Sequence, residues 1–154
     1  DERTGEALDW GFVGQIKSVD VEPIEAYMKA DIVPVITPLA RDEEGQLYNV
    51  NADDAATAVA CALQARKLVF LSDVPGLLHD PADADSLISS LHLSEVEELI
   101  DRGVIAGGML PKIKGMVHAV ETGIRKAHII DSALPHSLLL ELFTSEGVGT
   151  EILK

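Results

Sequence analysis

The sequence predicts an α/β fold, a three-layer sandwich around a mostly parallel central sheet, in one domain over residues 1–154. Strand-like and helix-like patterns alternate along the chain, as they do when helices cross over a parallel sheet. The composition is 47% hydrophobic but only 4% aromatic. The core must therefore come from Ala, Val, Leu and Ile, which suits helices packed closely on a sheet better than a small all-β barrel. A chain of 154 residues is long enough to bury such a core.

Each element has its own signal. Strand patterns run over Phe12–Val19, Ile32–Ile36, Gln46–Val50, Leu68–Leu71 and Ala127–Ile130, with a short last one at Glu151–Leu153. Helical patterns lie between them, at Glu22–Ala30, Asp53–Ala65, Ser94–Arg102, Pro111–Gly123 and Pro135–Phe143. Ser94-Glu95-Val96-Glu97 has the form of a capping box, and Gly103 supplies the stop. Pro111 suits a first helical position, and Ile113, Met116, Val117, Val120 and Ile124 then form one apolar stripe.

Charge and cysteine usage exclude several function classes. With 12 basic against 26 acidic residues the formal net charge is −14. Such a surface argues against nucleic acid or an anionic membrane as a partner. A single cysteine, Cys61 in an alanine-rich helix, rules out an intrachain disulfide or a multi-cysteine metal site. Asp80, Asp83 and Asp85 lack the spacing and glycine of a calcium loop, so no protein-held metal is expected. No apolar run reaches membrane-span length and no signal peptide is visible, which leads to the expectation of a cytoplasmic protein.

Ligands of open α/β sheets bind beyond the carboxyl ends of the strands, and three polar clusters follow strands here. In Asn49-Val50-Asn51-Ala52-Asp53-Asp54, Asn51 or Asp53 caps the next helix, leaving Asn49 and a second carboxylate for other work. In Ser72-Asp73-Val74-Pro75-Gly76-Leu77, Asp73 either closes an Asx-turn or belongs to a ligand-binding loop. The third is Gly107-Gly108-Met109-Leu110-Pro111-Lys112. Lys112 and Lys114 in a first helical turn oppose the macrodipole, by about 0.3–1 kcal/mol each, unless an anion sits there. Ordinary helix punctuation with two solvated lysines is the alternative. No Walker loop, dinucleotide glycine fingerprint or HExxH motif occurs.

In this order, together with Gly11-Phe12-Val13-Gly14 and His128-Ile129-Ile130-Asp131, these segments resemble the amino-acid kinase family. Within it they resemble the branch that phosphorylates the side-chain carboxylate of N-acetyl-L-glutamate with MgATP, in arginine biosynthesis. The resemblance covers essentially the whole chain. It implies that Lys112 stabilises charge on the transferring phosphoryl group and that Asp53 organises the catalytic lysines. Asn49 is then a substrate-binding residue, and Asp73, Val74, Pro75, Gly76, Leu77 and Leu78, with Val104, Ile105 and Ala106, cradle ATP. The family's glycine-rich N-terminal lobe, with a second catalytic lysine, has no counterpart in these residues. The expectation is a C-terminal, ATP-binding lobe that is inactive alone and homo-oligomeric as part of a full-length enzyme.

His136-Ser137-Leu138-Leu139-Leu140-Glu141 running into Glu146-Gly147-Val148-Gly149 reads as an amphipathic helix closed by a glycine turn. It also resembles the region of arginine-inhibited family members in which a histidine, a glutamate and a glycine-rich turn hold L-arginine, here His136, Glu141 and Gly149. Two other readings stay open: an arginine-sensing, kinase-like domain of an N-acetylglutamate synthase, and a non-catalytic nucleotide-binding module.

Overall fold

The computed structural model describes residues 11–144 and 147–154. Among these residues five α-helices and six strands are formed in the order α1 (Glu22–Lys29), β1 (Leu39–Arg41), β2 (Leu47–Asn49), α2 (Ala52–Ala62), β3 (Lys67–Ser72), β4 (Ser90–His92), α3 (Leu93–Asp101), α4 (Met109–Glu121), β5 (Lys126–Asp131), α5 (Ser137–Phe143) and β6 (Gly149–Leu153). β1 and β2 form an antiparallel hairpin. The central sheet has the order β3-β5-β6-β4. β3–β5 and β4–β6 are parallel and β5–β6 is antiparallel, so the sheet is mostly parallel as expected.

Alternation along β5 sets the layers. Ala127 and Ile129 join the main core beneath α2, α3 and α4, built from Ile113, Met116, Ala119, Val120, Leu68, Phe70, Leu91, Val96 and Leu99. His128 and Ile130 are buried on the opposite side, where the short α5 lies. The sandwich therefore has three layers of unequal size. The α4 stripe is Ile113, Met116 and Val120, with Ala119 added and Val117 only half-buried. No described helix is long and apolar enough to cross a membrane.

Two expected strands are not formed. Residues 32–36 are irregular, with Val33 84% and Val35 92% exposed. Of the expected strand at 12–19 only a bridge between Val13 and Asn49 exists, held by Asn49 N–H to Phe12 O and Gly14 N–H to Asn49 O. An apolar run becomes a strand only where a neighbour completes its hydrogen bonds, and no described residue pairs with 32–36. Conversely, β1 and β4 are three residues each, too short to give a period-2 pattern.

Helix starts differ by one or two positions from the sequence reading. α3 begins at Leu93 after His92, whose N–H donates to Glu95 at 2.8 Å, so the reciprocal cap uses Glu95 rather than Glu97. α4 begins at Met109, which moves Pro111 from the first to the third helical position. Pro111 is still within the first turn, where no intrahelical N–H bond is lost. Gly115 stands in mid-α4, where glycine costs about 1 kcal/mol of helix propensity relative to alanine.

Candidate functional site

Topology gathers the polar clusters at one end of the sheet. α2 leads into β3 and α4 into β5 through short connections, so both helix N-termini lie beside the carboxyl ends of parallel strands. β5 and β6 run in opposite directions, so the start of β6 reaches the same end.

Asn51 settles which residue caps α2: its side chain accepts from Asp53 N–H at 2.9 Å and Asp54 N–H at 3.1 Å. That leaves the Asp53 carboxylate available, and it binds Lys112. Nζ donates to Oδ2 at 2.8 Å and to Oδ1 at 3.1 Å. The two side chains remain 22% and 25% exposed, so an anion can reach the ammonium. The ammonium also stands 5.7 Å from the centroid of the Phe70 ring, within range of a cation–π contact. The result is a fixed positive centre that keeps one N–H for a further partner.

The backbone contribution differs from the sequence reading. The amides of Met109 and Leu110 donate to Ala106 O and Gly107 O at 3.2 and 3.3 Å, and Pro111 has none. The first turn of α4 therefore offers no amide cradle. The open donors are one step earlier, at Gly107 and Gly108, where an added Cβ would meet nothing within 4 Å and whose amides donate to nothing among the described residues. Positive φ at Gly107, +54°, turns the chain into the helix there. Lys114 is exposed on the same helix and lines a groove of ≈ 580 Å³ with Asp54, Thr57, His118 and Gln15.

Asn49 ends β2 two residues before the α2 cap, exposed, with its side-chain amide unbonded among the described residues. Asp73 follows β3 and is exposed; its Oδ1 accepts from Ser72 Oγ at 3.4 Å, and it closes no Asx-turn. The loop behind it is docked firmly. Leu77 N–H donates to Thr150 Oγ1 at 2.8 Å, and Leu77 O accepts from Ile88 N–H at 2.8 Å. Gly76 has φ +150°, and a Cβ there would lie 2.6 Å from Thr150 Oγ1. Of the expected nucleotide-binding residues, Leu77 and Ile105 are core side chains, each 2% exposed. Their side chains are not open to a ligand, and the amides of both are already bonded within the fold. Val74, Leu78 and Val104 are half-buried, and Pro75 and Ala106 are exposed.

The third set is divided. His136 is exposed at the N-terminus of α5 with φ +61°. The Glu141 carboxylate is buried against the sheet, 2.8 Å from His128 Nδ1 and 3.9 Å from Lys67 Nζ, and accepts from Val148 N–H at 3.3 Å. Burial pushes the His128 imidazole below its usual value, outweighing the pull of Glu141. Nδ1 faces the Glu141 carboxylate, while Nε2 is buried without a hydrogen-bond partner among the described residues. Gly149 has a packing reason, since a Cβ would collide with the Ile129 carbonyl. Glu146 lies outside the described residues. Next to His128, Glu151 pairs with Lys126 at 2.6 Å; burial, the largest single influence, raises its pKa, but the hydrogen bond and charge of Lys126, with the Ser90 hydroxyl, together hold it below the usual value.

Phe70, Thr57 and Gly115, which surround the pair, were not singled out in the sequence; a glycine in mid-helix is the one feature that could have pointed to them.

A sequence model of the Amino acid kinase family matches residues 2–131. The acetylglutamate kinase of Syntrophomonas wolfei subsp. wolfei is 51% identical over 142 residues, covering 92% of this chain and 50% of that protein. The acetylglutamate kinase of Archaeoglobus fulgidus is 47% identical over 145 residues, covering 94% and 50%. The chain thus spans about half the length of the curated relatives it matches. Among solved structures, N-acetylglutamate synthase from Neisseria gonorrhoeae complexed with coenzyme A and L-arginine superposes with a TM-score of 0.84 at 31% identity, over 96% of this chain and 34% of that one. Isopentenyl phosphate kinase of T. acidophilum, at 21% identity and TM-score 0.62 over 91% of this chain and 56% of that one, shares the fold.

Proposed function

This chain belongs to the amino acid kinase family, and from that premise we propose that it is the nucleotide-binding part of an acetylglutamate kinase. The reaction would transfer the γ-phosphoryl group of ATP to the side-chain carboxylate of N-acetyl-L-glutamate. The observation that carries the reading is the Lys112–Asp53 pair, a lysine locked to a carboxylate by two hydrogen bonds at the carboxyl ends of β3 and β5. In this transfer a carboxylate oxygen of the acceptor attacks γ-phosphorus as the bond to the β-phosphate oxygen breaks, giving an acyl phosphate and ADP. The protein forms no covalent bond; it positions the groups and balances negative charge on the moving phosphoryl oxygens. Lys112 has that task, and Asp53 aims it. The amides of Gly107 and Gly108, with the docked 73–78 loop, would receive the phosphates and nucleoside, and Asn49 the acceptor.

Magnesium fits as an ion carried by the nucleotide. Among the described residues no group of three or more His, Cys, Asp or Glu side chains is placed to hold a metal. Mg²⁺ is commonly held by phosphate oxygens, waters and one or two carboxylates, and Asp73 is an exposed carboxylate available at this end. Bound there, the ion would neutralise phosphate charge.

The complete polypeptide is proposed to be a cytoplasmic homo-oligomer. L-arginine is a proposed regulator, at His136, Glu141 and Gly149. The similar synthase whose structure contains L-arginine favours this reading. Hydroxylamine trapping tests the activity: the complete polypeptide should form acyl hydroxamate from ATP and N-acetyl-L-glutamate, and none should form if the reading is wrong. Added L-arginine should depress that rate; unchanged activity at saturating arginine removes the regulatory site.

A further inference from the structure

We propose that Gly115, Thr57 and Phe70 form a positioning seat for Lys112, fixing the distance and aim of its ammonium group; the inference rests on the kinase reading above. The seat lies one helical turn below the Lys112–Asp53 pair. Thr57 is four residues after Asp53 on α2, and Gly115 is three residues after Lys112 on α4, so each lies on the same helix face as its partner in the pair. The two helices meet at this point. A Cβ on Gly115 would lie 2.8 Å from Thr57 Oγ1 and 3.9 Å from Phe70 Cζ.

Thr57 is poorly placed to yield. It is 7% exposed, β-branched, and its hydroxyl donates to the Asp53 carbonyl at 2.8 Å. Its side chain is therefore tied to the backbone of the residue that holds Lys112. Phe70 closes the third side: it is 5% exposed, reaches Gly115 with its ring edge, and stands beneath the ammonium at 5.7 Å. A side chain at position 115 would push α4 from α2 and lift Lys112 off both the carboxylate and the ring. A misplacement of this size matters for phosphoryl transfer, because the charge must meet oxygens whose positions shift along the reaction. Glycine in mid-helix lets the two helices approach this closely.

The test uses Gly115→Ala, Gly115→Ala/Thr57→Ala and Phe70→Leu in the complete polypeptide. Gly115→Ala should lower kcat about 10-fold while the KM values for ATP and acceptor stay within about 2-fold. Alanine favours the helix, so its thermal midpoint should not fall in proportion. Removing the opposing hydroxyl in the double variant should recover kcat to within about 3-fold, a rescue that general loss of packing would not give. Phe70→Leu should lower kcat without raising the KM for ATP. The ¹⁵N ammonium signal of Lys112 provides a readout independent of turnover: it should be resolved in the wild type, broadened in Gly115→Ala and restored in the double variant. If the wild-type polypeptide transfers no phosphoryl group, the kinase reading fails and the ammonium signal alone decides the seat. A wild-type ammonium signal and kcat in Gly115→Ala, or a folded double variant with no recovery, overturns the proposal.

Discussion

Replacing Lys112 by alanine separates a catalytic role from a structural one. The ammonium group is held by both oxygens of Asp53, at 2.8 and 3.1 Å, so its position is fixed before any phosphate arrives. Removing one such preorganised donor typically lowers kcat by about 10²–10³, or roughly 2.7–4 kcal/mol of transition-state stabilisation. The effect on folding should be far smaller. Lys112 and Asp53 are 22% and 25% exposed, so water can solvate the carboxylate left behind, and pairs this open contribute on the order of 1 kcal/mol or less. The lost cation–π contact with Phe70 adds about 0.5–1 kcal/mol. For a domain of about this size each kcal/mol shifts the thermal midpoint by roughly 2–4 °C. Steady-state hydroxamate kinetics and a calorimetric melt on the same preparation should therefore show a hundredfold loss of kcat with a midpoint shift of only a few degrees. Turnover within threefold of wild type would refute the reasoning, as would a loss explained by a midpoint collapse of more than about 10 °C.

Other outcomes follow from the same geometry. Asp53→Asn keeps the α2 cap, which belongs to Asn51, but removes the charge that aims Lys112; kcat should fall about 10–10²-fold, with circular dichroism unchanged. Thr150→Val leaves the buried Leu77 N–H without its acceptor, costing about 1–3 kcal/mol and raising the KM for ATP as the 73–78 loop loosens. Burial holds His128 below the ordinary imidazole value of 6.5, so the unfolded state binds the extra proton first as pH falls. Its contribution to stability is therefore full above about pH 6.5 and declines below it, at up to about 1.4 kcal/mol per pH unit until the folded imidazole also protonates. Glu151, held below the ordinary carboxyl value of 4.5 by the hydrogen bond and charge of Lys126 despite its burial, adds a second decline below that pH. Denaturant melts between pH 7.5 and 5 should slope less in His128→Asn than in wild type, and equal slopes would remove this account.

The helices and the three core strands were legible in the sequence because each carries its own period and punctuation. The stripe from Ile113 to Ile124 and the apolar run at Leu68–Leu71 needed no distant partner to be recognised. Residues 32–36 look equally strand-like, yet strand formation depends on a neighbour, which the apolar pattern does not encode. The helix start expected at Pro111 lies two residues earlier for a related reason: the residue at which a helix begins depends on bonds such as Met109 N–H to Ala106 O. Asp53 and Lys112 could be read as a pair only through family resemblance, being 59 residues apart. The seat beneath them needed coordinates, since only packing shows that Gly115 faces Thr57. Leu77 and Ile105 show the reverse case, in which residues expected at a ligand have side chains that complete the core.

The central claim is that the Lys112–Asp53 pair faces the phosphoryl group in transfer. A crystal structure of the complete polypeptide with magnesium, a non-hydrolysable ATP analogue and N-acetyl-L-glutamate tests it most directly. The account predicts Lys112 Nζ within about 3 Å of a γ-phosphate oxygen, at charge-assisted hydrogen-bond distance, with Asp53 still bound to the ammonium. A nucleotide seated elsewhere, or a γ-phosphate beyond hydrogen-bonding reach of Lys112, would contradict it.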